Sequence, residues 1–128
     1  MKGRVSYSRS RGPTTRILIV EDSELTAGAL RILFEERGCE VSVAGSVRAA
    51  IDAASEMRPD LMLLDLTLAD GDGLDVLARL RAEDQMPPQT IALTGHDDDE
   101  VRQRCIDAGC TGVMIKPVPI ARLLALVQ

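Results

Sequence analysis

Residues 16–24, RILIVEDSE, run four aliphatic side chains, Ile17 to Val20, straight into the adjacent carboxylates Glu21 and Asp22. An unbroken aliphatic run of this length reads as a strand buried on both faces, as in the middle of a parallel sheet. Two neighbouring negative charges repel each other and gain nothing from such an interior. Their place at the end of the strand points to a partner outside the core.

Four more short apolar runs follow: Val41–Ala44, Leu61–Leu64, Ile91–Leu93 and Val113–Ile115. Between and after them apolar residues recur at helical spacing, as Thr26/Ala29/Leu30/Leu33, Ala50/Ala53/Ala54/Met57, Leu74/Leu77/Ala78, Val101/Cys105/Ala108 and Ile120/Leu123/Leu124/Val127. Gly38 and Gly109 stand where left-handed helix ends are expected and Ser46 where a helix N-cap is. Pro59 and Pro87-Pro88 mark places where helices have stopped. Strict alternation of this kind predicts an α/β fold, (βα)5, with a doubly wound parallel five-stranded sheet and helices on both faces. The second run alternates as Val41-Ser42-Val43, which suits an edge strand and the order 2-1-3-4-5. Five units are too few for a closed barrel.

The length of 128 residues and the 45% hydrophobic content fit one domain with a single core. Residues 1–15 carry Lys2, Arg4, Arg9 and Arg11 without an acid, and read as a disordered basic arm of linker character ahead of a folded domain at 16–128. Beyond the arm, 11 basic residues face 20 acidic ones, a net charge of −9 that repels nucleic-acid backbones. Tyr7 and Phe34 are the only aromatics, so base stacking has almost no platform, and direct nucleic-acid binding is excluded. No apolar run approaches the roughly 20 residues of a membrane helix, and the start lacks the apolar centre of a secretory signal. The expectation is a cytoplasmic protein without a membrane partner. Cys39, Cys105 and Cys110 lack Cys-x-x-Cys spacing and read as reduced, partly buried fillers.

In open α/β sheets the ligand crevice lies beyond the carboxyl ends of the strands. Glu21 and Asp22 follow the first strand, Asp65 ends the third, Thr94 the fourth and Lys116 the fifth. Three carboxylates brought together raise one another's pKa, so a hard cation held by oxygens is their natural partner. Mg²⁺ suits a small acid set with an otherwise watery shell, whereas Ca²⁺ takes more ligands. Thr94 and Lys116 then supply donors for an anion from the opposite side. Lysine occurs only at Lys2 and Lys116 while arginine supplies thirteen basic residues, so a lysine at a strand end suggests a need for a compact ammonium. A metal, a hydroxyl, an ammonium and a nucleophilic carboxylate together describe phosphoryl transfer to aspartate. Asp65, at the centre of the sheet, is the expected nucleophile, with Glu21 and Asp22 as metal ligands.

These residues, in this order, resemble the receiver domain of two-component response regulators, the CheY-like superfamily with a flavodoxin-like sheet. The resemblance covers about residues 16 to 127 and rests on ILIVEDSE, DLMLLDLTLADGDGLDVL, IALTG and VMIKPV. It implies that Asp65 takes a phosphoryl group from a phosphohistidine on a sensor histidine kinase or histidine phosphotransfer protein. It also implies that the Thr67 backbone carbonyl completes the Mg²⁺ shell, that the bond to Pro117 is cis, and that Thr94 moves toward the phosphoryl group. The response would reach a downstream partner or output domain through the face made by the fourth helix, fifth strand and fifth helix. The chain departs from the family at Val113, where an aromatic switch residue is common, and at Ala69, where proline is common. The resemblance fits a stand-alone regulator, part of a longer one, or a receiver segment of a hybrid kinase. In each case the domain is a switch that accelerates only its own phosphorylation and dephosphorylation. The rival reading is a phosphorylation-independent interaction module, for which Val113 speaks.

Other motifs have blander readings. DGDG at 70–73 fails the EF-hand spacing and reads as a tight turn into a helix. Asp97-Asp98-Asp99-Glu100 reads as a solvated helix start, and His96 as an exposed loop residue. Gly-x-x-x-x-Gly-Lys, Gly-x-Gly-x-x-Gly and Gly-x-Ser-x-Gly are absent, and the acidic first loop would repel a flavin phosphate.

Overall fold

The computed structural model describes residues 14–127. The expectation for the basic arm falls almost wholly outside them. Within them the main sheet has strands β1 (Arg16–Val20), β2 (Glu40–Ala44), β3 (Leu61–Asp65), β4 (Gln89–Thr94) and β5 (Gly112–Ile115). All are parallel, in the order β2-β1-β3-β4-β5, with β2 at one edge as its alternating pattern predicts.

The helices are α1 (Glu24–Glu35), α2 (Val47–Met57), α3 (Leu74–Ala82), α4 (Asp99–Ala108) and α5 (Ile120–Leu124). Alternate side chains of the central strands point to opposite faces, which is why their sequences are apolar without interruption. Leu18, Val20, Met62, Leu64 and Ala92 pack with α2, α3 and α4 residues such as Ala54, Leu77 and Cys105. Ile17, Ile19, Leu61, Leu63, Ile91 and Leu93 pack on the other face against Ala27 and Phe34 of α1 and Leu123 and Leu124 of α5. Each fully buried aliphatic side chain contributes about 1.5–3 kcal/mol.

Local chemistry sets the helix ends. Ser23, Ser46 and Asp98 are N-caps whose side chains accept from Thr26, Ala49 and Val101 N–H, so the acidic run at 97–100 opens a helix as its sequence suggests. Gly38 and Gly109 have φ of 84° and 106°, while α2 ends on a left-handed Arg58 that no glycine announces. The last helix is shorter than the spacing of Ile120, Leu123, Leu124 and Val127 predicts, because Ala125–Val127 tightens into a 3₁₀ turn.

After β3 the chain forms a small antiparallel pair, Thr67–Leu68 with Gly71–Asp72, before α3. DGDG at 70–73 is thus a turn into a helix. Asp70 reaches across to α2, its Oδ1 accepting from Val47 N–H at 2.8 Å, and these backbone bonds hold its carboxyl below the usual range. Among the described residues no helix is long and apolar enough to cross a membrane.

Candidate functional site

At the carboxyl end of the sheet lies a cleft of about 880 Å³. It is lined by the polar Glu21, Asp22, Asp65, Thr67 and Lys116 and by the apolar Leu30, Val118 and Leu123. Parallel pairing brings these groups together: Val20 and Leu64 are direct neighbours across β1 and β3, so the residues that follow them emerge side by side.

Glu21 and Asp65 are only 7% and 5% exposed, whereas Asp22 stands in solvent. One ligand oxygen from each lies within 4.8 Å of the other two. Lys116 answers part of that charge, with Nζ 3.2 Å from Asp65 Oδ2 and 3.8 Å from Glu21 Oε1. Burial pushes the Glu21 carboxyl above the usual carboxylate range, and the Asp65 charge adds to this. The Ser23 N–H, 3.1 Å from Glu21 Oε2, and the Lys116 ammonium pull it back. Three carboxylates against one ammonium leave a negative excess in a partly buried cleft. The donor set is all oxygen, lies within 4.8 Å and is open to water on the Asp22 side, which fits a small hard divalent cation.

Asp65 is held from below as well. Its Oδ1 accepts the Thr67 N–H at 3.0 Å, and Leu66 N–H donates to Leu93 O, so the residue after Asp65 is still tied to β4. Thr94, expected at the rim, is 4% exposed and is not among the residues that line the cleft, its Oγ1 accepting from His96 N–H at 3.0 Å. His96 itself is exposed and lines the cleft. The Lys116 N–H donates to Thr94 O at 2.7 Å, and the Lys116-Pro117 bond is cis, as the resemblance implies. Val113 on β5 is half-buried and packs on the α3/α4 side of the sheet.

Sequence reasoning missed the braces of the loop after Asp65. Asp72 Oδ1 accepts the Leu74 N–H, while its Oδ2 pairs with Arg104 of α4. Gly73 packs so closely under this loop that a Cβ would lie 2.2 Å from Asp65 O. Two aspartates spaced by glycine signal a turn in any sequence; that they grip α2 and α4 depends on the fold.

The response regulator receiver domain model matches residues 17–128. The chain is 38% identical over 112 residues to the uncharacterized transcriptional regulatory protein YkoG of Bacillus subtilis, covering 88% of this chain and 49% of that one. It is 32% identical to the polar-differentiation response regulator DivK of Brucella anthropi, covering 88% of this chain and 92% of DivK. It thus spans about half the length of the transcriptional regulators it matches and nearly all of DivK. Among solved structures, the chemotaxis protein CheY4 of Vibrio cholerae superposes with a TM-score of 0.84 at 25% identity, covering 91% of this chain and 98% of CheY4. The receiver domain of the Pseudomonas aeruginosa sensor histidine kinase PA1611, which has a magnesium ion coordinated in its active site cleft, gives 0.79 at 27% identity, covering 91% and 96%. With the family model running from the first buried strand to the last residue, over this sheet order and this acidic cleft, the chain belongs to the receiver domains of two-component response regulators.

Proposed function

We propose that Asp65 is the phosphoacceptor of a magnesium-dependent switch. The observation that carries this reading is the ammonium of Lys116, 3.2 Å from Asp65 Oδ2, beside three carboxylates whose oxygens lie within 4.8 Å. The donor is a phosphohistidine on a sensor histidine kinase or histidine phosphotransfer protein, met in the cytoplasm.

Glu21, Asp22, Asp65 and the Thr67 backbone carbonyl would hold the ion. When bound, Mg²⁺ supplies positive charge that neutralises the oxygens of the phosphoryl group. The Asp65 carboxylate attacks phosphorus in line, forming the O–P bond as the P–N bond to the histidine ring breaks, and the ring nitrogen keeps the electron pair and takes up a proton. Burial of Asp65 strips the attacking carboxylate of competing water, and the Thr67 N–H fixes its orientation. Phosphorylation exchanges one negative charge for roughly two. Lys116 moves its ammonium to the phosphoryl oxygens, and Thr94 exchanges its contact with the His96 N–H for one with the same oxygens. The strands and helices attached to these residues shift the face of α4, β5 and α5, where a downstream partner or output domain reads the change. The protein is a switch, catalysing only its own phosphorylation and dephosphorylation.

Incubation with acetyl phosphate and Mg²⁺, followed by intact-mass measurement, tests the reading. The expected result is one phosphoryl adduct on the wild type and none on Asp65→Asn. An adduct that survives Asp65→Asn overturns the assignment. The alternative of a phosphorylation-independent module is favoured by Val113 alone, since no aromatic ring is there to swing inward.

A further inference from the structure

The C-terminal end of α4 brings together two thiols that the phosphoryl chemistry does not use. Gly109 adopts the left-handed conformation, φ 106° and ψ 13°, and the helix closes with the two bonds of a Schellman motif. Gly109 N–H donates to Ile106 O and Cys110 N–H to Cys105 O, each at 3.0 Å. In this motif the side chains at the two ends of the longer bond, here Cys105 and Cys110, meet over the helix end. A backbone bond of 3.0 Å keeps their α-carbons within about 7 Å of each other, near the span that a disulfide bridges. Both belong to the core on the α2–α4 face of the sheet, Cys105 buried and Cys110 half-buried. Cys39 packs on the opposite face of the sheet and takes no part.

We propose that Cys105 and Cys110 form a reversible dithiol site that closes to a disulfide by exchange with a low-molecular-weight disulfide. The Cys110 sulfur, nearer to solvent, attacks one sulfur of the small disulfide and releases one small thiol, giving a mixed disulfide. The Cys105 sulfur then attacks Cys110 Sγ and expels the second small thiol. Two protein S–H bonds and one S–S bond are exchanged for one protein S–S bond and two small-molecule S–H bonds, so the small disulfide is reduced and the protein pair oxidised.

Burial raises the Cys105 thiol and pushes that of Cys110 up to about 12, so exchange is slow at neutral pH and quickens as pH rises. The closed loop holds only the four residues between the cysteines, so chain entropy adds little to its stability and the bond remains easily reduced. Closure adds a covalent tie between the last turn of α4 and the residue pair leading into β5, at the end of the sheet away from the acidic cleft. It goes beyond the phosphoryl reading and does not depend on it.

The test is incubation of the folded chain with oxidised glutathione at mildly alkaline pH, read by intact mass and proteolytic mapping. The expected product has lost two hydrogens, carries a Cys105–Cys110 link, forms equally in Cys39→Ser, and reverts with reduced glutathione. Cys105→Ser should stop at a glutathionyl adduct on Cys110. A wild type that also stops at an adduct, links through Cys39, or keeps both thiols free after prolonged incubation would overturn the proposal.

Discussion

Arg104 of α4 grips Asp72, in the loop that follows Asp65, with Nη2 2.5 Å from Oδ2. Asp72 Oδ1 also accepts the Leu74 N–H at the start of α3, so one carboxylate joins the Asp65 loop to two helices. This contact ties α4 directly to the loop that follows Asp65. Arg104→Ala is expected to leave the melting temperature nearly unchanged, because the pair is solvent-exposed and screened. It should, however, weaken the response of α4 amides to beryllofluoride, a stable mimic of aspartyl phosphate. An α4 response equal to that of the wild type, measured by two-dimensional NMR, would remove Arg104 from the coupling.

Lys116 is expected to divide binding from response. Lys116→Ala should still bind Mg²⁺, since the ion's ligands are oxygens, but should lose the beryllofluoride-driven shifts over residues 97–124. Lys116→Arg should behave in the same way, because a planar guanidinium does not replace a compact ammonium 3.2 Å from Asp65 Oδ2 and 3.8 Å from Glu21 Oε1. A wild-type response from either variant would show that the ammonium is dispensable.

Glu21 sets a pH dependence whose sign follows from its burial. Its folded carboxyl lies above the ordinary value of 4.5, so the neutral form is the one favoured by folding. The stability it contributes is fully present below 4.5 and is lost as pH rises through the folded value. Metal-free protein should therefore gain from mild acidification at this group, while Mg²⁺ affinity falls over the same range because the ion needs the carboxylate. Glu21→Gln should be more stable than wild type at neutral pH without metal, and its thermal midpoint should vary less between weakly acidic and neutral pH. Parallel pH profiles of melting and of Mg²⁺ titration check both, and a wild-type affinity that holds constant on acidification would contradict the role given to Glu21.

Gly73 is a steric requirement, since a Cβ there would meet the Asp65 backbone oxygen at 2.2 Å and Leu66 Cα at 3.0 Å, with no flexible side chain to give way. Gly73→Ala should cost about 1–3 kcal/mol, the range for forced overpacking. It should also displace Asp65, lowering phosphoryl labelling in protein that remains folded by circular dichroism. Urea denaturation gives the first quantity and acetyl phosphate labelling the second.

The parts of this fold that were readable in the sequence are those with a local cause. Uninterrupted aliphatic runs such as Leu61–Leu64 marked strands buried on two faces, and Val41-Ser42-Val43 marked the edge. Ser46 and Gly109 marked helix ends because their chemistry acts within a few residues. The acidic cluster was readable because strand ends in a parallel sheet share one rim, so Glu21, Asp22, Asp65 and Lys116 needed only the topology to meet. What stayed hidden depends on contacts across long separations. Asp70 on the α2 N-terminus, Asp72 on Arg104 and the burial of Thr94 against the His96 N–H leave no periodic or capping signal. The left-handed Arg58 that ends α2 also lacks its usual glycine, with the following Pro59 buried.

The central claim is tested most directly by two-dimensional NMR of the backbone amides, first with Mg²⁺ and then with beryllofluoride. The account predicts that Mg²⁺ shifts residues around Glu21, Asp22 and Asp65, and that beryllofluoride extends the changes through Thr94 and Lys116 to residues 97–124. A spectrum unchanged by both additions would contradict the phosphoacceptor reading and leave an interaction module in its place.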